Sequence, residues 1–307
     1  MTILVTGATG FLGKRVCARL TELGRGYART SLSLGCDLRD RTSTLQLFHE
    51  VKPTVVLNCA SFVGGIQFGL KYPANLFHNN MPMIANLLEA CQVSGIQRLV
   101  NPISNCVYPA RASLFKEAEI WDGPLHETVM VYGLLRKMSW AGSWAYARQH
   151  GLDTLNLVLS NMYGPEDHFE EERSHALGAL VMKFIAAKRC DIAEVVVWGS
   201  GTPVREWLYI DDGAEAMIRS IDAKPTTDFI NVGVASGISV LELAEKIKTA
   251  VGYQGRIVLD PTKADGAPYK TVDGARSMEW LGWSPRVSLE EGIGRTVAWY
   301  LDKVSAH

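Results

Sequence analysis

Two hydroxyls in this chain are spaced so that a strand-and-helix rhythm brings them to one crevice. Ser104 closes the apolar run RLVNPIS, and Tyr132 opens a helical stretch 28 residues later. A hydroxyl that holds a carbonyl oxygen and a phenol that exchanges a proton with it are what hydride transfer to a ketone requires. The tyrosine is followed in VYGLLRK by Arg136 at +4 and Lys137 at +5. Successive helix residues are rotated by about 100°, so Arg136 shares the face of Tyr132 and Lys137 does not. The plain alternative is a half-buried tyrosine beside two solvated cations, the usual fate of Arg and Lys.

The elements around these residues point the same way. TGATGFLG sets Gly7, Gly10 and Gly13 directly after the run 3–6 and at the mouth of a helix expected over 12–23. Glycines there permit a tight turn and close backbone approach to a pyrophosphate, which then sits at the helix N-terminus. Phe11 and Leu12 of the same loop, Ala60 and Asn161 join the expected cofactor contacts. Where an acidic residue would bond a ribose 2′-hydroxyl, GYARTS offers Arg29, which suits a 2′-phosphate, so NADP (as NADPH) is expected rather than NAD. Asp37 and Leu38, in CDLRD, are placed to flank the adenine.

Strands expected at 55–60, 98–103 and 154–159 alternate with helices through 83–93 and from Tyr132 onward. That alternation argues an α/β chain with a parallel sheet covered on both faces and ligands at the carboxyl ends of its strands. After NMYGP the rhythm changes to a charged loop, EDHFEEERS, then a helix over 175–189 and a Gly-rich turn, GSGTP. A helix over 240–251, a strand at 256–259 and a terminal helix over 289–301 complete a smaller lobe. The expected division is 1–163, with a return of about 205–233, for the dinucleotide-binding domain, and 164–204 with 234–307 for the substrate lobe.

Composition removes several function classes. The 307 residues are 47% hydrophobic and 21% charged, enough for a sizeable globular core. The formal charge of -1 comes without any block of like charge, so neither nucleic acid nor an anionic membrane is an expected partner, and an anionic ligand must be met locally. Six cysteines lie scattered without a CxxC pair or metal spacing, and the chain opens on TILVTG rather than a signal peptide. A cytoplasmic protein without a metal is expected. No apolar run approaches the roughly 18 residues a membrane span needs.

Taken together, the sequence resembles the extended short-chain dehydrogenases, in their nucleotide-sugar branch, and more closely the GDP-fucose synthases, which convert GDP-4-keto-6-deoxymannose to GDP-fucose. The resemblance covers nearly the whole chain: TGATGFLG, VGGI (63–66), SNCVYP (104–109), NMYGP, SHALGAL (174–180), VVVWGSGTPVREWLYIDD (195–212), INVG (230–233) and KADGAPYK (263–270). It implies a Rossmann-type doubly wound parallel sheet with a smaller C-terminal α/β substrate lobe, a GDP-linked sugar substrate and a homodimer built on the helices around 83–93 and 132–150.

By position it implies that Cys106 and His175 are the acid/base pair that epimerises the carbons on either side of the sugar ketone, whose α protons are acidic once the oxyanion is held. It gives Lys183, Arg205, Asp265 and Lys270 places near the nucleotide diphosphate or sugar. Trp198 is a further substrate-side candidate, although it and Trp207 read first as core or lobe-interface residues. One departure stands out. The family pattern is YxxxK, and here Arg136 occupies the lysine position, with the Ser104-to-Tyr132 spacing one residue short, so a local shift presenting Lys137 is the competing arrangement. Two other readings follow: an isomerase that keeps Cys106 and His175 with weakened net reduction, and a non-enzymatic NADP-binding regulatory protein, against which the joint presence of Ser104, Tyr132, Cys106 and His175 argues.

Overall fold

The computed structural model describes residues 1–111, 113–170, 174–224, 228–263 and 265–305. Its first half runs β1 (Ile3–Thr6), α1 (Phe11–Glu22), β2 (Tyr27–Arg29), α2 (Arg41–Val51), β3 (Val55–Asn58), α3 (Ile66–Lys71), α4 (Pro73–Val93), β4 (Arg98–Ser104), α5 (Met130–His150) and β5 (Thr154–Leu159). Then come β6 (Asn161–Tyr163), α6 (Ala176–Arg189), β7 (Glu194–Trp198), β8 (Val204–Arg205), β9 (Trp207–Tyr209), α7 (Ile210–Arg219), β10 (Phe229–Val232), β11 (Ile238–Ser239), α8 (Val240–Val251), β12 (Arg256–Asp260), β13 (Tyr269–Lys270), α9 (Ala275–Leu281) and α10 (Leu289–Ser305).

Six strands form one sheet in the order β10-β5-β4-β3-β1-β2, every pairing parallel. Every residue of β1, β3, β5 and β10 is buried, as aliphatic strands must be when helices cover both faces. The chain leaves β1 toward β2 and returns on the other side at β3, so the order reverses there and opens a crevice at the strand ends. One polar row crosses this interior. Thr6 Oγ1 donates to Asn58 Oδ1 (2.7 Å), Asn58 Nδ2 to Asn101 Oδ1 (3.1 Å), and Asn101 Nδ2 to both Ser139 Oγ (2.9 Å) and Asn156 Oδ1 (3.2 Å).

Helix ends follow their local chemistry. Asp40 caps α2 by accepting from Ser43 N, and Ser239 with Glu242 forms a reciprocal capping box on α8, which stops at the left-handed Gly252. The long helix expected through 83–93 is α4, which begins at Pro73, whose missing N–H costs nothing in the first turn, and runs through Pro82.

The later segments build a second layer of structure beside the sheet. β7 pairs in parallel with β12, α6 packs on α8, and β8 sits between β11 and β13 in a three-stranded sheet. β6 and β9 pair in parallel, and β10 then returns the chain to the main sheet beside β5.

Candidate active site

The crevice begins at the glycine loop. Gly7 has φ +59°, and a Cβ there would lie 2.5 Å from the Cys59 carbonyl oxygen, in the loop after β3. A Cβ on Gly13 would collide with the Gly7 carbonyl. The first helical turn can therefore close onto the strand end only without side chains, which leaves a cradle shaped for a pyrophosphate. Phe11 is partly buried against the core, and the Leu12 side chain is buried within it. Leu12 therefore meets an expected cofactor only through its main chain, because α1 turns its side chain onto the sheet.

Arg29 is exposed at the end of β2. Next to that strand end Thr9, Ser31 and Ser33 form a cluster of hydroxyls, with Thr9 Oγ1 2.9–3.0 Å from the other two and Ser31 Oγ 3.0 Å from Ser33 Oγ. A cation beside three hydroxyls fits a phosphate, so the residues present suit a 2′-phosphorylated dinucleotide. Sequence reading missed the hydroxyls, which lie 22 and 24 positions apart and carry no periodic signal. Asp37 is gripped by Arg39 (2.7–3.1 Å), whose guanidinium holds its carboxyl below the usual range. Leu38, Ala60, Asn80 and Arg136 line one cavity between these loops and α5. Asn161 donates its side-chain amide to the Glu206 carbonyl (3.0 Å), which joins β6 to the turn before β9.

The elements that carry Ser104 and Tyr132 come together for a steric reason. Ser104 ends β4 and caps the single turn 105–107, its Oγ accepting from Cys106 N at 3.3 Å. Tyr132 lies in the first turn of α5, and a Cβ on its neighbour Gly133 would stand 2.5 Å from the Cys106 carbonyl oxygen. A bare glycine thus lets the start of α5 abut the turn that carries Cys106.

The cation question is decided by helix geometry. The Arg136 guanidinium lies 4.9 Å from the centre of the Tyr132 ring and donates to Ser61 Oγ. Lys137 points elsewhere: its Nζ donates to the Ile120 carbonyl at 2.6 Å and lies 4.3 Å from the Trp121 ring centre. Burial holds its pKa below the ordinary lysine value. No helical shift presents Lys137 to the tyrosine, and that arrangement is corrected accordingly.

On the opposite side of the crevice, His175 is the N-cap residue of α6. Burial, then the nearby charges of His168 and Lys270, push its imidazole down to about 4, so it is neutral at neutral pH. Lys270 Nζ lies 3.5 Å from Cys106 Sγ. Arg205 directs Nη1 to the Val204 carbonyl (2.8 Å) and Nη2 to the Asp265 carbonyl (3.0 Å), and burial pushes it down to about 10. The Asp265 carboxylate accepts from Ser200 N at 2.7 Å and so fastens the turn after β7. Trp198 is 41% exposed, not core, because β7 alternates and presents it outward. The Lys183 and Lys263 ammonium groups lie 4.6 Å and 5.6 Å from its ring centre, and Lys183 also donates to the Val196 carbonyl. Trp207 is buried, edge-on to Tyr163. Among the described residues there is no cluster of three or more metal-ligating side chains.

The chain is similar to known proteins over nearly its whole length. The profile of the NAD dependent epimerase/dehydratase family matches residues 3–233. A protein of Oryza sativa subsp. japonica described as probable GDP-L-fucose synthase 1 is 35% identical over 304 residues, 98% of this chain and 92% of that one. The GDP-L-fucose synthase of Escherichia coli K12 is 32% identical over 310 residues, 98% of this chain and 96% of its own. The crystal structure of a GDP-L-fucose synthetase from Naegleria fowleri bound to NADP superposes with a TM-score of 0.87 at 29% identity, covering 99% of this chain and 93% of that chain.

Proposed function

Because this chain belongs to the NAD dependent epimerase/dehydratase family, in its GDP-L-fucose synthase branch, we propose that it converts GDP-4-keto-6-deoxymannose to GDP-L-fucose by epimerisation on both sides of the ketone followed by reduction. The observation that carries this reading is the abutment at Gly133, which puts the thiol-bearing turn 105–107 against the helix start that bears Tyr132. One crevice then serves both proton exchange at carbon and proton delivery to oxygen. The cofactor is NADP(H), which supplies the hydride.

Ser104 Oγ accepts from the Cys106 amide, so its own proton is available to the ketone oxygen. Removal of an α proton leaves the C–H electron pair as an enolate whose oxygen Ser104 holds. Cys106 and His175 exchange the proton at carbon from different sides, one taking it and the other returning it to the opposite face. In reduction the Tyr132 proton passes to the ketone oxygen as the carbon accepts hydride. The Arg136 guanidinium over the ring attracts the charge left on the phenol. Arg29 with Thr9, Ser31 and Ser33 receives the 2′-phosphate. Lys183, Trp198 and Arg205 face the nucleotide-sugar, with Asp265 holding the turn beneath them.

Residues 1–163 with the return at 205–233 carry the cofactor in this reading, and 164–204 with 234–307 carry the substrate. The enzyme pairs with a second copy through α4 and α5, where Phe77, Leu134 and Met138 are exposed, and works in the cytoplasm, in keeping with six unpaired cysteines. Among the described residues no helix is long and apolar enough to cross a membrane.

Arg136 at the family's lysine position favours one second reading, an epimerase with weakened reduction. Incubation with GDP-4-keto-6-deoxymannose in deuterium oxide separates them: deuterium uptake at the sugar carbons with loss of NADPH absorbance is expected, and Cys106→Ser should abolish the uptake. Uptake without NADPH loss leaves the second reading, and neither signal removes both.

A further inference from the structure

Lys270, expected near the nucleotide diphosphate or sugar, stands with its ammonium at the Cys106 sulfur. It is 7% exposed, and among the described residues no carboxylate lies within ion-pair distance of it; its side-chain hydrogen bond goes to Cys106 Sγ, 3.5 Å from Nζ. A buried ammonium is costly unless a negative or strongly accepting group meets it. The register explains how it arrives there. β13 pairs in parallel with β8 so that Lys270 stands opposite Arg205, and two buried cations are delivered side by side. Arg205 gives its Nη1 and Nη2 to backbone carbonyls and acts on the sulfur only through its charge, so Lys270 is the cation hydrogen-bonded to the sulfur. Its main chain is fixed as well: Glu206 N donates to the Lys270 carbonyl at 3.1 Å, and the Glu206 carboxylate accepts from Val272 N at 2.7 Å.

We propose that Lys270 is the charge partner of Cys106, a positioning residue whose ammonium balances the thiolate through which that sulfur passes during epimerisation. The proposal rests on the epimerase reading above, but its mark on the thiol is present without substrate. In one direction of proton exchange the thiolate takes the α proton, an S–H bond forms, the C–H bond breaks and the electron pair becomes the enolate. In the other direction the S–H bond breaks, a C–H bond forms and the carbonyl is restored. Lys270 transfers no proton in either direction; it meets the sulfur at the stage where the sulfur is an anion. The other charged or titratable groups around this pair are Arg205 from β8, His175 at the start of α6, His168 from the preceding loop and Asp265 from the loop before β13. Asp265 is the one carboxylate among them, and its bond to Ser200 N holds it to the turn after β7.

The test is the rate at which neutral iodoacetamide alkylates Cys106 at neutral pH in the full chain without substrate, read peptide by peptide, with exposed Cys190 as internal standard. Thiolate is the reacting form of a thiol, so a cation that meets the sulfur raises its reactivity. Lys270→Met should slow Cys106 at least about tenfold with Cys190 unchanged, and Lys270→Arg should restore the rate to within about threefold. GDP affinity should move less than about threefold in the same variants. NADPH binding reports folding, and Lys270→Gln replaces Lys270→Met if the latter loses it. Equal alkylation rates in parent and uncharged variant overturn the proposal, as does slowing in Lys270→Arg equal to that in Lys270→Met. Loss of GDP affinity with unchanged alkylation also overturns it and returns Lys270 to the diphosphate. Failure of Cys106→Ser to stop deuterium uptake would instead sink the epimerase reading and leave the alkylation result standing.

Discussion

Gly133→Ala is the sharpest perturbation of the site, because it adds one methyl group where two elements touch. The new Cβ would stand 2.5 Å from the Cys106 carbonyl oxygen and 2.7 Å from Leu125 Cδ1, whereas ordinary contact begins at 3.4 Å. The leucine tip can rotate away; the carbonyl belongs to the turn that Ser104 caps and cannot. Turn and helix must therefore separate by about 0.9 Å, close to the misplacement of about 1 Å that costs on the order of 10²-fold in rate when reacting groups must be aligned. That is about 2.7 kcal/mol of transition-state stabilisation. Stability should fall less, because overpacking of about 1–3 kcal/mol is offset by the roughly 1 kcal/mol that alanine gains over glycine inside a helix. The assay is NADPH oxidation at saturating substrate beside an NADPH titration. We expect kcat to fall about 10²-fold with cofactor affinity within about threefold, since the Gly7–Gly13 loop is untouched. A kcat within twofold of the parent would show that turn and helix yield independently, and the argument from close approach would be wrong.

Arg136→Met should lower hydride transfer by about 10², the usual scale of lost acid/base assistance. Lys137→Met should leave hydride transfer near the parent value and lower Tm through the lost Ile120 and Trp121 contacts; stopped-flow NADPH oxidation and thermal melts of the two variants check the pair, and reversed sensitivities refute it. His175 should also make stability depend on pH. Its folded pKa of about 4 lies below its ordinary 6.5, so the folded state binds fewer protons between those values, and its contribution is full above pH 6.5 and lost as pH falls toward 4. The limit is on the order of 3 kcal/mol. Asp167, pushed up to about 7 by burial, acts in the opposite sense in parent and variant alike. Between pH 7 and pH 5, urea unfolding should therefore show the parent losing more stability than His175→Gln, with the Asp167 contribution cancelling between them, and identical pH profiles would refute it.

What was legible in the sequence is what short-range pattern encodes. Aliphatic runs gave β1, β3, β4 and β5, the glycine triplet gave the cofactor loop, and 100° per residue gave Arg136 rather than Lys137 as the neighbour of Tyr132. The start of α4 at Pro73 was not legible, since an interior proline interrupts the pattern that would carry the helix back to it. Lys270 at the Cys106 sulfur was hidden for another reason: the two are 164 positions apart, and β8 and β13 are two residues each, too short to show any period. Gly133 gave no sign either, since a glycine inside a helix reads only as a weak spot until the neighbouring carbonyl is in place.

The amide row through Thr6, Asn58, Asn101 and Asn156 settles something the aliphatic pattern leaves open. Strands apolar on both faces bury equally well in several alignments, so hydrophobicity alone does not choose among them. A slip of one residue would turn a strand's amide toward the opposite helix layer, and a slip of two would carry it about 6.6 Å along the strand, out of reach of its partner. Either error strands buried amides at about 1–3 kcal/mol apiece. The native pairing is the one in which Thr6 meets Asn58 and Asn101 meets Asn156. Thr6 and Asn58 end β1 and β3, and Asn58 and Asn101 line the cavity that Ala60 and Arg136 share, so the amides that fix the register also level the strand ends at the floor of the crevice.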